Sequence, residues 1–360
     1  MLCFSMALAA SQPMPFVDLD AETHRQVVVD REAGQYLGHP TTLLLPDGKT
    51  ILCVYPKGHG RGAILFKRST DGGKTWGDRL PTPENWATSL ETPTIHRLTG
   101  PDGKARLILW SGLNPARRAI SEDDGATWGP LEPVGTWGGI VVMSSVERLA
   151  DGRYVALFHD DGRFLHAGGP AGPHMTLLQS FTADGGKTWS YPEAIWGSSD
   201  IHLCEPGAVR SPDGKTLAML LRENKRVRNS HVMFTTDEAK TWSWPRELPK
   251  ALTGDRHVAK YAPDGRLVVV FRDTDKASPT VGDWVGWVGR WEDIVNGRPG
   301  QLRFRLKDNK HDWDCAYSGL ELLPDGTFVA TTYGHWTEGQ PPYILSVRFR
   351  LDELDRAARS

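Results

Sequence analysis

The 360-residue chain is poor in cysteine: Cys3, Cys53, Cys204 and Cys315 are its four. None stands at a metal-ligand spacing, and Cys53, Cys204 and Cys315 are expected as buried free thiols. The chain has no apolar run near the about 18 residues that a membrane-spanning helix needs. It also has no excess of either charge, with 42 Lys and Arg against 44 Asp and Glu and a net charge of −2. Nucleic acid and anionic membrane surfaces are therefore not expected partners. No long helical period appears, and no cofactor or metal motif. What is abundant is turn chemistry and indole: 38 Gly, 25 Pro and 14 Trp. That composition suits an all-β globule.

Four copies of the pattern S/T-x-D-x-G/A-x-T-W punctuate the sequence. They are Ser69–Trp76, Ser121–Trp128, Thr182–Trp189 and Thr235–Trp242. A period of roughly 50–60 residues marks a propeller or another repeat array. In each copy the Asp can accept N–H groups of its own turn, while the Trp buries a large apolar face. Ala239 replaces the expected Gly of the fourth copy, so an altered turn is expected there.

A second repeat sets the count. Asp-Gly turns between apolar runs fall at Asp47-Gly48, Asp102-Gly103, Asp151-Gly152, Asp213-Gly214, Asp264-Gly265 and Asp325-Gly326. Asp-Gly between β-rich runs is a strong hairpin signal. The steps are 55, 49, 62, 51 and 61 residues. Six hairpins, four of them followed by a Trp box, predict an all-β six-bladed β-propeller of about four strands per blade. Trp284 to Trp291 and Ile344 to Arg350 are the third-strand candidates of the last two blades. Residues 13–360 form one domain in this reading. Residues 1–12 read as a shortened export signal or a frayed tail. Ala7-Leu8-Ala9 resembles a signal-peptidase site, but a basic start is missing. A periplasmic or secreted protein is expected, with a cytoplasmic one as the alternative.

A propeller brings the innermost strands of all blades around one axis, so equivalent positions form rings. Counting back eight residues from each turn Asp gives His39, Thr94, Met143, Glu205, Arg256 and Tyr317, with Glu91 or Thr92 the better equivalent in the second blade. Counting forward eight gives Tyr55, Trp110, His159, Leu221, Arg272 and Tyr333, with Arg222 one step beyond Leu221. Charged side chains at positions that should be buried are costly unless paired or facing a wet cavity. The rings therefore predict a polar mouth on the axis. His159-Asp160-Asp161-Gly162-Arg163 reads first as a turn, with a metal site or a substrate contact as the alternatives. Asp255-Arg256-His257 and His311-Asp312-Trp313-Asp314 read as mouth loops without zinc geometry. Tyr333-Gly334-His335-Trp336 reads as an aromatic wall.

The segments Glu205-Pro206, Pro212-Asp213-Gly214 with a following strand to Arg222, and Ala316-Tyr317-Ser318-Gly319-Leu320 before Asp325-Gly326 carry a resemblance. Together with the boxes, they resemble the sialidase (neuraminidase) superfamily over nearly the whole chain. The resemblance implies a six-bladed propeller in which Tyr317 is the nucleophile, Glu205 polarises it and Arg222 binds a substrate carboxylate. The residue chemistry agrees. A phenol with a pKa near 10 needs a neighbouring base, and a neutral nucleophile suits an anomeric centre that already bears a carboxylate. An Arg fork holds a carboxylate in bidentate fashion, with Arg272 and Arg256 on the next blade.

The chain also departs from that family. Leu37-Gly38-His39-Pro40 stands where the first arginine of the sialidase triad is expected. Lys57-Gly58-His59-Gly60-Arg61-Gly62 lacks the acid/base Asp of the loop before the first box. His39 or His59 is the expected proton donor in its place. The functional expectation is an exo-glycosidase acting on a terminal acidic sugar. Tyr317, Glu205, His39 and His59 are its catalytic residues. Arg222, Arg272, Arg256, Tyr55, His159, Tyr333 and Trp336 are its substrate contacts, with no metal or cofactor. A propeller lyase acting on uronates and a non-catalytic carbohydrate-binding propeller are the alternatives.

Overall fold

Six antiparallel sheets follow one another along the chain, as the turn count predicts. The computed structural model describes residues 14–165 and 175–359. The expected export signal and Cys3 lie outside the described residues. The first blade holds Thr41–Leu44, Ile51–Pro56 and Ile64–Ser69. The second holds Thr94–Thr99, Ala105–Ser111, Arg117–Ser121 and Glu132–Pro133. The third holds Ile140–Arg148, Tyr154–Asp160, Thr176–Thr182 and Glu193–Gly197. The fourth holds Leu203–Arg210, Leu217–Glu223, His231–Thr235 and Arg246–Glu247.

The fifth and sixth blades draw strands from both ends of the chain. Gly254–Tyr261, Leu267–Asp273, Trp284–Gly289 and Leu302–Lys307 make the fifth. Phe16–Asp18 adds a parallel edge strand to it, with Phe16 opposite Arg303. Gly319–Leu322, Phe328–Gly334 and Tyr343–Phe349 make the sixth. Its outer strand is Gln26–Asp30, paired antiparallel with Val28 opposite Leu345. This N-terminal strand closes the ring. The expectation of four strands per blade is thus met by four blades, while the first has three and the fifth five.

Because each blade is sandwiched between two others, its middle strands are buried on both faces and read as continuous apolar runs. Alternate residues fill alternate interfaces. Met219 and Leu221 pack toward the third blade and Leu220 toward the fifth. The four boxes are built alike. Asp71 Oδ1 accepts from Lys74 N and Thr75 N at 3.0 Å each, and Oδ2 accepts from Thr75 Oγ1 at 2.6 Å. The fourth box is not altered as expected. Thr241 N and Oγ1 reach Asp237 at 2.9 and 2.6 Å, and Ala239 simply takes φ 63°. A left-handed Ala costs about 1–2 kcal/mol, less than the bonds it completes. Trp189 is buried and Trp76, Trp128 and Trp242 are half-buried. Cys53, Cys204 and Cys315 are buried and unbridged. Among the described residues no helix is long and apolar enough to cross a membrane.

Candidate active site

Five of the six blades enter their inner strands through a left-handed residue, and these entries shape the mouth. His39, Met143, Glu205 and Arg256 have φ between 52° and 57°, in the left-handed region. In the third, fourth and fifth blades the pairing register breaks at this point, between Ile140 and Ser145, Cys204 and Gly207, and Asp255 and Val258. An extra residue in a strand bends it and re-aims a side chain. In the fourth and fifth blades the side chains of Glu205 and Arg256 are turned toward the axis, whereas Met143 stays in the apolar core between the second and third blades. The sixth blade shifts the strain by one residue, to Ala316 at φ 65°, and presents Tyr317. Register makes Thr92 the second-blade equivalent, two residues before the first pair of Thr94 with Trp110. Close approach of neighbouring blades is essential here. A Cβ at Gly207 would collide with the His257 carbonyl oxygen.

Glu205 and Tyr317 meet over the axis. The Tyr317 hydroxyl donates to Glu205 Oε1. Arg222 Nη1 donates to the same oxygen at 2.7 Å and stands 3.4 Å from the phenol. Burial raises the Tyr317 pKa well above its usual value, and the Glu205 charge raises it further. The phenol therefore holds its proton. Glu205 Oε2 is buried and finds no hydrogen-bond partner among the described residues. An unsatisfied buried acceptor is unusual and is expected where a ligand completes the set.

Asp255 organises the arginines. Its carboxylate bonds Arg272 through Nη2 and through Nε at 3.0 Å. Arg226 Nη2 stands 2.7 Å away and Arg222 Nε 3.1 Å away. Burial raises the Asp255 pKa, but Arg272, Arg222 and Arg226 outweigh it and hold the group at about 2. Arg272 is 5% exposed and lies behind this carboxylate, whereas Arg222 is 15% exposed and faces the mouth. Arg256 crosses the axis instead, with Nη1 and Nη2 both 3.2 Å from the Ser144 carbonyl oxygen.

The opposite wall is built on Asp314. Tyr36 donates to it at 2.8 Å and Tyr333 at 3.0 Å, while His59 Nε2 stands 3.2 Å and His335 Nε2 3.4 Å away. Burial opposes its charge, but the bonds from His59 and Tyr36 prevail and keep it below the usual carboxylate range. His39 is locked. Its Nδ1 accepts from Gly60 N at 3.1 Å, so Nε2 carries the proton and donates to Tyr333 at 3.1 Å. Burial, reinforced by His59, lowers its pKa well below the ordinary value. Its ring lies 4.5 Å from that of Tyr317 and 4.8 Å from that of His59. Glu91 is a further carboxyl at this end, accepting from Thr92 N at 2.8 Å, with its pKa raised by burial.

A family model, the BNR repeat-like domain, matches residues 110–314. The chain belongs to the BNR repeat-like domain family. No curated protein matches it in sequence. Among solved structures, a protein of unknown function from Dyadobacter fermentans is 17% identical with a TM-score of 0.67, covering 90% of this chain and 97% of its own. The alpha-L-arabinanase of Penicillium chrysogenum, solved with arabinobiose, is 16% identical with a TM-score of 0.63, covering 91% and 98%. The intramolecular trans-sialidase of Ruminococcus gnavus is 16% identical with a TM-score of 0.61, covering 89% and 95%. At these identities the likeness is one of fold: a six-bladed propeller shared with glycosidases.

Within this BNR propeller the expected site residues divide into three groups. Glu205, Tyr317, Arg222 and His59 converge on the mouth. Arg272 and His159 support them from behind. His159 Nδ1 accepts from Glu205 N at 3.4 Å, and burial lowers its pKa to about 4, so the ring is a neutral prop. Five expectations are corrected. Arg256 reaches across the axis to the Ser144 carbonyl oxygen and is not a substrate contact at the mouth. Tyr55 is one residue out of register with Arg222 and Tyr333, so it points between the first and sixth blades and gives its hydroxyl to Asp30 at 2.5 Å. Tyr333 is fully buried, its hydroxyl spent on His39 and Asp314. Trp336 is buried in the core beside Trp284, its Nε1 bonded to Tyr343 O at 3.0 Å. His39 is too buried and too fully bonded to serve as a charged acid.

Asp255 and Asp314 were legible only as members of mouth loops, and Tyr36 and Arg226 were not legible at all. The usable signal was charge at strand ends: Asp255 directly precedes a ring residue and Asp314 lies three before Tyr317. The segment after His159 is the turn expected of it, with Asp160 Oδ2 accepting from Gly162 N at 2.9 Å.

Proposed function

We propose that the chain is a glycoside hydrolase that removes a terminal acidic sugar from a glycan, with Tyr317 as nucleophile and Glu205 as its base. The observation that carries this reading is the Tyr317 hydroxyl donating to Glu205 Oε1, with Arg222 on the same oxygen. In the first step the Tyr317 oxygen bonds the anomeric carbon and its proton passes to Glu205. The glycosidic bond breaks as His59, oriented by Asp314 3.2 Å away, protonates the departing oxygen. In the second step water attacks the anomeric carbon, His59 takes its proton, and Tyr317 leaves with the proton held on Glu205. Arg222 receives the sugar carboxylate, with Arg272 and Asp255 fixing its plane.

A panel of chromogenic glycosides tests this reading, set out as neuraminides, uronides and neutral pentosides. Turnover of an acidic glycoside, lost in Tyr317→Phe, is the expected result. Turnover of neutral pentosides alone, as the arabinanase likeness would suggest, removes the carboxylate assignment. An unsaturated product absorbing in the near ultraviolet would mean elimination rather than hydrolysis.

A further inference from the structure

Below the mouth the six inner strands line a partly open axial cavity of about 250 Å3. This is far more than the about 10–15 Å3 that one water requires. Its wall carries Arg256, Ser318, His96, Lys260, Glu321 and Glu147, among others. Three of these groups are satisfied within the protein, and Glu147 is a half-buried carboxyl whose pKa burial raises to about 7. Lys260 pairs with Glu321 at 2.9 Å, and Glu321 also takes the Thr42 hydroxyl at 2.8 Å. His96 Nε2 stands 2.7 Å from the Met143 carbonyl oxygen. Two groups are not satisfied in this way. The Ser318 hydroxyl, 3% exposed, has no hydrogen-bond partner among the described residues. Arg256, also 3% exposed, meets one backbone carbonyl and, among the described residues, no carboxylate within ion-pair distance.

A buried guanidinium without a counter-ion is costly, by several kcal/mol for the ion alone. The other three arginines of the mouth do not share this problem, since Arg222, Arg226 and Arg272 all pair with Asp255. Burial accordingly pulls the Arg256 pKa below its ordinary value, with only a partial offset from Glu205 and Tyr317. The missing element is a negative charge small enough for the axis and able to accept from both a guanidinium and a hydroxyl.

We propose that Arg256 and Ser318 form a binding site for a small monovalent inorganic anion of the chloride class on the propeller axis. The ion accepts from the Arg256 guanidinium and from Ser318 Oγ within the cavity. It neutralises the charge beneath Glu205 and Tyr317 without entering the mouth. This assignment does not depend on the proposed hydrolysis.

Thermal unfolding of the full chain at constant ionic strength tests it, with sodium gluconate exchanged stepwise for sodium chloride or bromide. A ligand that binds only the folded state raises Tm in proportion to RT ln(1 + [L]/Kd). Chloride and bromide should each raise Tm while gluconate does not. Arg256→Gln should abolish the rise, and Ser318→Ala should shift it at least tenfold to higher halide. A crystal soaked in bromide should show an anomalous peak in the axial cavity. Identical curves in gluconate and bromide, an unchanged halide response in Ser318→Ala, or bromide confined to the outer surface would overturn the site. If Arg256→Gln fails to fold, the Ser318 variant and the crystal decide the matter.

Discussion

Glu205 and Tyr317 occupy the same register position on the fourth and sixth blades, and their side chains meet in one hydrogen bond over the axis. Each stands two residues before the pair from which its inner strand runs in unbroken register to the turn, Gly207 with Leu220 and Gly319 with Thr331. They are 112 residues apart in sequence. Neither can be displaced without moving a blade, so the pair is preorganised by the ring.

Removing the phenolic oxygen tests the nucleophile directly. Tyr317→Phe should lower kcat by at least about 10²-fold, the lower range for a positioned catalytic group, while ligand binding and unfolding midpoint stay near wild type. Glu205→Gln should impair the same step, since an amide cannot take the phenolic proton. A fluorinated acidic sugar should leave a covalent adduct on Tyr317, detectable by peptide mass spectrometry. Near wild-type turnover in Tyr317→Phe would end the assignment.

Arg222 should carry the preference for acidic over neutral sugars. Arg222→Ala should weaken binding of an acidic monosaccharide by about 1.5–3 kcal/mol, the range for hydrogen bonds to charged groups. Arg222→Lys should recover little, because a point charge does not replace a planar fork. Calorimetry with the acid and its neutral amide separates the two effects. Equal affinity of the wild type for both would contradict carboxylate recognition.

His59 should matter in proportion to how poorly the leaving group departs. His59→Ala should slow release from a natural glycan by about 10²–10⁴-fold. On a nitrophenyl glycoside, whose leaving group needs no proton, the loss in kcat/KM should nearly vanish, while kcat stays low because His59 also takes the proton of the attacking water. A loss in kcat/KM of equal size on both substrates would assign His59 to binding instead.

Asp255 should be indispensable for stability. Asp255→Asn leaves Arg222, Arg226 and Arg272 without their shared counter-charge, and breaking a buried ion pair costs about 3–5 kcal/mol. The same group gives a pH signature. Its folded pKa, about 2, lies below the about 3.9 of an unperturbed Asp. Its contribution is therefore complete above about pH 4 and is lost as the pH falls toward 2. Urea unfolding of wild type and variant across that window should converge at the acid end. A constant gap would locate the effect elsewhere.

The boxes should govern stability without governing chemistry. Asp184 Oδ1 accepts from Lys187 N and Thr188 N at 2.9 and 3.0 Å, on the outer turn of the third blade. Asp184→Ala should cost about 1–3 kcal/mol in urea unfolding through those unmet donors, with KM unchanged. A change in KM at constant stability would mean that the outer turns communicate with the mouth.

The fold was legible in the sequence because its determinants are local. An Asp-Gly turn, a Trp box and an apolar run each specify their own few residues, and repetition turned six weak signals into a count. Glu205, Tyr317 and Arg222 were legible for a related reason: charge and phenol at the axis-facing ends of strands have no place in an ordinary blade. What remained hidden depended on register and on contacts between blades. A one-residue difference in hairpin length puts Tyr333, eight residues past its turn Asp, in register with Arg222, and leaves Tyr55, at the same count, one residue out of step and facing a blade interface. His39 looks like a titrating acid on paper. It is a buried neutral ring because Gly60 and Tyr333, from other segments, hold both its nitrogens. Asp255 and Asp314 are ordinary loop carboxylates in one dimension. Only the closed ring brings three arginines to the first, and two tyrosines and two histidines to the second. Burial, desolvation and ion pairing are properties of the assembled site, so the tertiary structure alone decided which polar residues face the mouth and which support it.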